Sequence, residues 1–262
     1  MMGPLAVAFM TSTFDHVMIH REGMQVGWGG EFLSTYDTVL NQQGGFSGEI
    51  TGWLMTKNSF ILGIGFALGK IVVSMLAAYA IVYFRFPLAG FCFWVIFLTL
   101  LLPLEVRILP SYEVVQQLGL LNSYTGLILP LIASATGTFF FRQFFKSVPN
   151  ELLEAARIDG ANAWRFFVDI LVPLSRTMMA AIFIIMFVVG WNQYLWPMLM
   201  TTEEQYFTLV RGIRNVMQSM IGADIPFYNE ALAMAMLAML PPVVIILIFQ
   251  RMFIKGLVEQ EK

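Results

Sequence analysis

The most specific chemistry in this 262-residue chain lies in residues at fixed offsets: Glu154, Ala155 and Ala156, then Asp159, Gly160 and Ala161, then Ile170 and Pro173. Two side chains of minimal bulk give a helix face on which another protein's cleft can close, and Glu154 offers a carboxylate to a basic partner. Pro149 suits a first helical turn, Gly160 the left-handed position that ends a helix, and Asn162 the cap of the next. The pattern predicts an exposed elbow of two short helices. The plainer alternative is a solvated amphipathic hairpin whose Trp164, Phe166 and Phe167 dip into lipid headgroups.

Lys70 is the next candidate. It lies about ten residues, roughly 15 Å, into an apolar helical run, where an ammonium must be paired, hydrated or snorkelled. It is either a cavity cation for an anionic substrate or a structural lysine bonded to carbonyls of a neighbouring helix. Trp191, Asn192, Gln193 and Tyr194 combine uncharged hydrogen-bonding groups with aromatic faces, which suits a sugar-like or polyol ligand; aromatic residues also gather at bilayer interfaces without binding anything. Glu105 and Arg107, at the outer end of a span, are candidates for an ion pair at the mouth or for contact with a partner, although a two-residue spacing does not share a helical face.

Other chemistry is missing. Gly63, Gly65, Gly69 and Lys70 fail as a phosphate loop, because Ile64 stands where a Gly is needed and Ile71 replaces the Ser or Thr that would hold magnesium. Gly65 and Gly69 at i and i+4 instead make a small face for close helix packing. His16 and His20 lack a metal-binding pattern around them, and Cys92 is the only cysteine. No catalytic residue and no metal site is read from the sequence.

These residues must be held by membrane helices. At 58% hydrophobic and 12% charged, the composition is far from the soluble average, and the scattered basic residues give no footprint for nucleic acid. Five runs have the length of about 20 residues that crosses a bilayer: Phe60–Tyr83, Phe91–Ile108, Tyr124–Phe141, Ala180–Met200 and Ala231–Phe249. The expected fold is all-α, a polytopic helical bundle surrounded by membrane lipid. Residues 1–13 read as the stub of a further first span, 14–59 as an external segment, 60–250 as the transmembrane domain containing the polar loop 142–179, and 251–262 as a tail. Lys and Arg concentrate in the segments that begin at Arg85, Arg142 and Arg251, so the loop and the carboxyl terminus are expected to be cytoplasmic.

The loop residues resemble the EAA loop of permease subunits of binding-protein-dependent ABC importers: Glu-Ala-Ala, three residues, Gly, nine residues, then Ile-x-Leu-Pro, with Val172 here in place of Leu. The resemblance runs from about Lys57 to Lys262, through Phe84–Leu88, Leu102–Ile108, Arg142–Phe145 and Gly190–Pro197. It is nearest to the second permease of carbohydrate-type importers, in particular those handling sn-glycerol-3-phosphate. That resemblance implies the type I importer permease fold in an inner membrane. It further implies a second permease completing a heterodimer, two ATPase subunits that hold ATP and Mg, and an external substrate-binding protein, with no cofactor on this chain. The implied cargo is sn-glycerol-3-phosphate or a related glycerophosphodiester, a neutral sugar or oligosaccharide being the alternative. A secondary transporter would need coupling acids within its spans, and their central portions contain no Asp or Glu.

The charge bias generates a topology test. Cysteines introduced at Asn41 and Ser219 should react with a membrane-impermeant label in intact cells, and one at Asn162 only after permeabilisation. External labelling at Asn162 would overturn the orientation.

Overall fold

The computed structural model describes residues 3–41, 50–84, 86–221 and 225–258, and all regular structure among them is helical. Arg85 and residues 259–262, which enter the charge count above, lie outside the described residues. Three short helices lead: α1 (Gly3–Thr11), α2 (His16–Glu22) and α3 (Phe32–Asn41). α4 (Gly52–Tyr83) follows, then α5 (Ala89–Leu98), α6 (Leu104–Gln117), α7 (Tyr124–Ile128), α8 (Ala135–Ser147), α9 (Asn150–Ile158) and α10 (Ala163–Arg165). The chain continues through α11 (Val172–Leu174), α12 (Arg176–Trp191), α13 (Leu195–Met200), α14 (Leu209–Ser219) and α15 (Tyr228–Val258).

Two stretches are unbroken helices long and apolar enough to cross a membrane, Gly52–Tyr83 and Tyr228–Gln250. Three further pairs meet the same criteria together but bend, by 107° between Ala89–Leu101 and Glu105–Gln117, by 50° between Tyr124–Leu131 and Ala135–Ser147, and by 72° between Ala163–Leu174 and Arg176–Trp191. Counting each bent pair as one span gives five.

Proline accounts for the first two bends. Pro103 disfavours the helical conformation at the residue before it, and Leu102 accordingly sits extended at φ −95°, ψ 103°. Pro130 falls in a 3₁₀ turn, Leu129–Leu131, and the helix restarts only after Ser134, whose hydroxyl accepts from the amide of Gly137 at 3.1 Å. The expected spans Phe91–Ile108 and Tyr124–Phe141 therefore each run across a bend, and two more need correction. α4 begins at Gly52 rather than Phe60, and Ala180–Met200 is not one helix: α12 ends at Trp191 and α13 starts at Leu195. Pro197 cannot donate to the carbonyl of Gln193 and its ring crowds that carbonyl, so the run is interrupted at Asn192–Tyr194.

The chain forms two compact units. One comprises residues within 1–62, 119–127 and 191–244. Its polar centre is Asn58, fully buried, which donates to the carbonyls of Gln205 at 2.8 Å and Phe207 at 2.9 Å and accepts from the Tyr124 hydroxyl at 2.7 Å. Arg211 is buried beside it, stacked 3.5 Å from the Phe207 ring and donating to the carbonyls of Pro197, at 3.1 Å, and Thr201 at the end of α13. Burial pushes that guanidinium down to about 10. The indole of Trp196 donates to the Leu127 carbonyl at 3.0 Å, and that of Trp191 to the Ala238 carbonyl at 2.9 Å. The last contact has a covalent cause: the intrahelical partner of Ala238 would be the amide of residue 242, which is Pro242 and has none.

The other unit comprises residues within 63–118, 128–190 and 245–262. Here α4 packs through its glycines, Gly65 against Ile128 and Gly69 against Ile132, so closely that an added Cβ would collide with either isoleucine. A side chain also serves a helix end here: Phe145 lies in the last turn of α8, where carbonyls have no intrahelical donor, and the Tyr83 hydroxyl donates to its carbonyl at 3.3 Å.

Replacing Trp191 by Phe should therefore lower stability by roughly 1–3 kcal/mol, the cost of a buried polar group left unpaired. In a Pro242→Ala background, which restores the missing amide, the same replacement should cost measurably less. Thermal unfolding of the detergent-solubilised complex checks the cycle; equal costs in both backgrounds would refute the repair.

Candidate functional site

α9 is built from Asn150-Glu-Leu-Leu-Glu-Ala-Ala-Arg-Ile158, with Pro149 extended ahead of it at φ −59°, ψ 137°. Its end is closed by the amide of Ala161 donating to Ala156 at 2.9 Å and that of Gly160 to Arg157 at 3.1 Å, the paired bonds of a left-handed helix stop. Gly160 takes φ +75°. The Asn162 carboxamide oxygen then accepts from the amide of Arg165 at 2.8 Å and starts α10. A π-helical stretch, Phe166–Leu171, follows, in which the amide of Val172 reaches back to Phe167; Pro173, just beyond, supplies no amide to the ladder.

Glu154, Ala155, Asp159, Gly160 and Pro173 are exposed, whereas Ile170 and Ala161 are partly covered. Ala156 is buried. Successive helical residues are about 100° apart, so the two alanines do not form one outward face. Ala155 faces out with Leu152 and Ile158, the latter 86% exposed, while Ala156 packs inward on a crevice shared with Tyr79, Tyr83 and Phe166. Trp164 is exposed, and Phe166 and Phe167 are buried in the protein rather than available to headgroups.

The elbow is gripped by α4. The Tyr79 hydroxyl donates to the Ala163 carbonyl at 2.8 Å and its ring lies 4.9 Å from that of Phe167; the Tyr83 ring lies 5.2 Å from that of Phe166. Sequence reasoning missed these two tyrosines. Their signal is a pair of hydroxyls at i and i+4 near the end of an apolar helix.

Nine residues earlier on α4, about 13 Å along the axis, Lys70 donates to the Ala133 carbonyl at 3.1 Å and lies 4.4 Å from the centroid of the Phe66 ring. It is also on the wall of a cavity of ≈380 Å³ whose other polar residues include Arg107, Ser134 and Thr136. The structural and the cavity-lining descriptions of Lys70 hold together. Arg107 and Glu105 are both exposed on α6, and among the described residues no ion pair joins them.

The Trp191–Tyr194 group divides. Trp191 is wholly buried, edge-on to Phe60 at 4.9 Å, which makes it a packing residue rather than an open stacking face. Asn192 is exposed and Gln193 half-buried. The Tyr194 hydroxyl lies 2.8 Å from the sulfur of Met198, and Arg214 sits 4.8 Å over its ring. His16 lies 2.9 Å from the Asp15 carboxylate, and its ring is tilted at 38° to that of Phe227, 4.7 Å away.

Comparison with known proteins adds three findings. The family described as "Binding-protein-dependent transport system inner membrane component" matches residues 70–259. The sn-glycerol-3-phosphate transport system permease protein UgpE of Salmonella typhi is 50% identical over 260 residues, covering 99% of this chain and 91% of that protein; the protein of the same name from Yersinia pestis bv. Antiqua (strain Antiqua) is 51% identical over 259 residues with the same coverage. In fold, the chain matches a solved bacterial ABC transporter involved in the import of the acidic polysaccharide alginate, with a TM-score of 0.80 at 18% identity, covering 95% of this chain and 90% of that one.

The elbow's geometry makes a prediction of its own. A Cβ on Gly160 would meet no neighbouring atom, so Gly160→Val should act through its φ alone and cost about 1–2 kcal/mol, with Gly160→Asn milder. Trypsin cleavage after Arg157 in the assembled protein should accelerate in that order, and equal rates in all three proteins would contradict it.

Proposed function

The chain belongs to the inner membrane components of binding-protein-dependent transport systems and is the non-catalytic permease subunit of an ABC importer, and from that premise we propose that its cargo is sn-glycerol-3-phosphate or a related glycerophosphodiester. The observation that carries the substrate reading is identity of 50–51% over 99% of the chain to permeases of that name. In this reading the chain forms half of the pathway, a second permease the other half. Two ATPase subunits on the cytoplasmic side hold ATP and Mg, and an external binding protein delivers the solute.

The elbow is the proposed docking element. An ATPase cleft closes on Leu152, Ala155 and Ile158 while Glu154 meets a basic side chain at its edge. Asp159 and Gly160 end the helix so that Ala161 and Asn162 can turn the chain, and the segment from Ile170 to Pro173 leads into α12. Movement of the docked helix passes through Tyr79 and Tyr83 into α4, which carries Lys70. A rigid helix moved at one end displaces residues farther along it, and this is how ATP-driven closure changes access to the cargo. Lys70, Asn192, Gln193 and Tyr194 are the proposed pathway residues; Trp191, buried against Phe60, is a packing residue.

Reconstitution of the complete importer in proteoliposomes tests both halves. ATP-driven uptake of sn-glycerol-3-phosphate is expected, and uptake of a neutral disaccharide in its place would replace the substrate reading. Glu154→Lys should leave insertion intact and lower binding-protein-stimulated ATP hydrolysis roughly tenfold or more, the loss of one charge-assisted contact. Undiminished hydrolysis and uptake by that variant would remove the docking role.

A further inference from the structure

We propose that Lys70 and Arg107 form a two-cation cradle for the phosphate group of the transported solute, an assignment that rests on the substrate reading above but deepens it to named atoms. The cavity that Lys70 and Arg107 line includes no Asp or Glu. Lys70 is 91% buried on the complement of its 9% exposure, and its one hydrogen bond, to Ala133, leaves two ammonium protons for another acceptor. Arg107 brings a guanidinium fork that suits phosphate oxygens.

The rest of the wall also donates. The Ser134 hydroxyl oxygen accepts from the amide of Gly137, leaving its own proton to give. Thr136 makes no side-chain hydrogen bond among the described residues. Both residues stand at the start of α8, whose first amides add positive potential. Thr99 and Thr138 spend their protons on the carbonyls of Ile96 and Ser134, so they close the wall without competing for the cations. A wall that offers two cations and two hydroxyl donors but no carboxylate suits an anion, and ≈380 Å³ falls within the range of about 300–1,000 Å³ typical of small-molecule sites.

The test reads charge inside the cavity without requiring transport. In the assembled importer with Cys92→Ser, a Thr136→Cys thiol should react about tenfold faster with an anionic sulfonatoethyl thiosulfonate than with its cationic trimethylammonioethyl analogue, after correction for each reagent's rate with a free thiol. Arg107 is exposed, so Arg107→Gln removes its charge without disturbing the core; it should erase most of the preference, and Arg107→Lys should restore it. Soluble sn-glycerol-3-phosphate should slow the labelling and glycerol should not. Equal rates for the two reagents, a preference unmoved by Arg107→Gln, or protection only when phosphatidylglycerol is added would each overturn the cradle, the last by making it a lipid site. Failure of the wild-type importer to carry sn-glycerol-3-phosphate would overturn the substrate reading separately, since the labelling preference is measured on its own.

Discussion

The constraint on which this structure depends is that a backbone carbonyl in hydrocarbon must find a donor inside the protein. Prolines break that rule locally, because each withholds the amide owed to the carbonyl four residues earlier. One such gap is filled by a large side chain: Trp191 donates to Ala238 ahead of Pro242; at the end of α8, Tyr83 donates in the same way to the orphan carbonyl of Phe145. Elsewhere donors reach carbonyls at helix breaks, as Lys70 does to Ala133 between α7 and α8, and Arg211 to the end of α13. Polar side chains that look functional in an apolar sequence are often serving the backbone.

That constraint also explains why a bent helix can be a stable one. The bends at Pro103, at Pro130 to Ser134 and at Ser175 expose few unpaired groups: Leu102 donates back to Thr99 at 3.2 Å, Ser134 caps α8, and the amide of Ser175 reaches Leu171 at 2.9 Å while its hydroxyl donates to the same carbonyl at 2.6 Å. The long unbroken α4, with no proline, is the element through which a displacement can travel. It holds the elbow at Tyr79 and carries Lys70 nine residues away, so one continuous helix connects the elbow to the cavity wall.

Much of this was legible in the sequence, because composition and proline placement are local signals. The all-helical class, the elbow with its Gly160 turn and Asn162 cap, and the small face at Gly65 and Gly69 follow from residue type and spacing. The break at Asn192–Tyr194 was hidden by hydropathy, which runs on through Pro197 as if the helix did. Ala156 turned inward because the helical rotation between neighbours, invisible in the bare motif, separates it from Ala155. The roles of Trp191 and Tyr83 depend on partners 47 and 62 residues away in sequence, and no spacing within the motif could supply them. That Arg107 lines one cavity with Lys70 was equally invisible, because the two are 37 residues apart in sequence and on different helices.

Lys70 illustrates why a structural role and a recognition role are compatible. An ammonium has three protons, and one bond to Ala133 with the face of Phe66 fixes where the group points while leaving its charge uncancelled. A carboxylate partner would have stabilised the charge better and abolished its use. The sequence supplies none among the cavity residues, so the desolvation cost of Lys70 is offset only in part by a carbonyl and an aromatic quadrupole. In the proposed reading the remainder is what an anion would satisfy, and compensation that is only partial leaves the anion free to depart. A site that must release what it holds is better built from such partial compensation than from a closed ion pair.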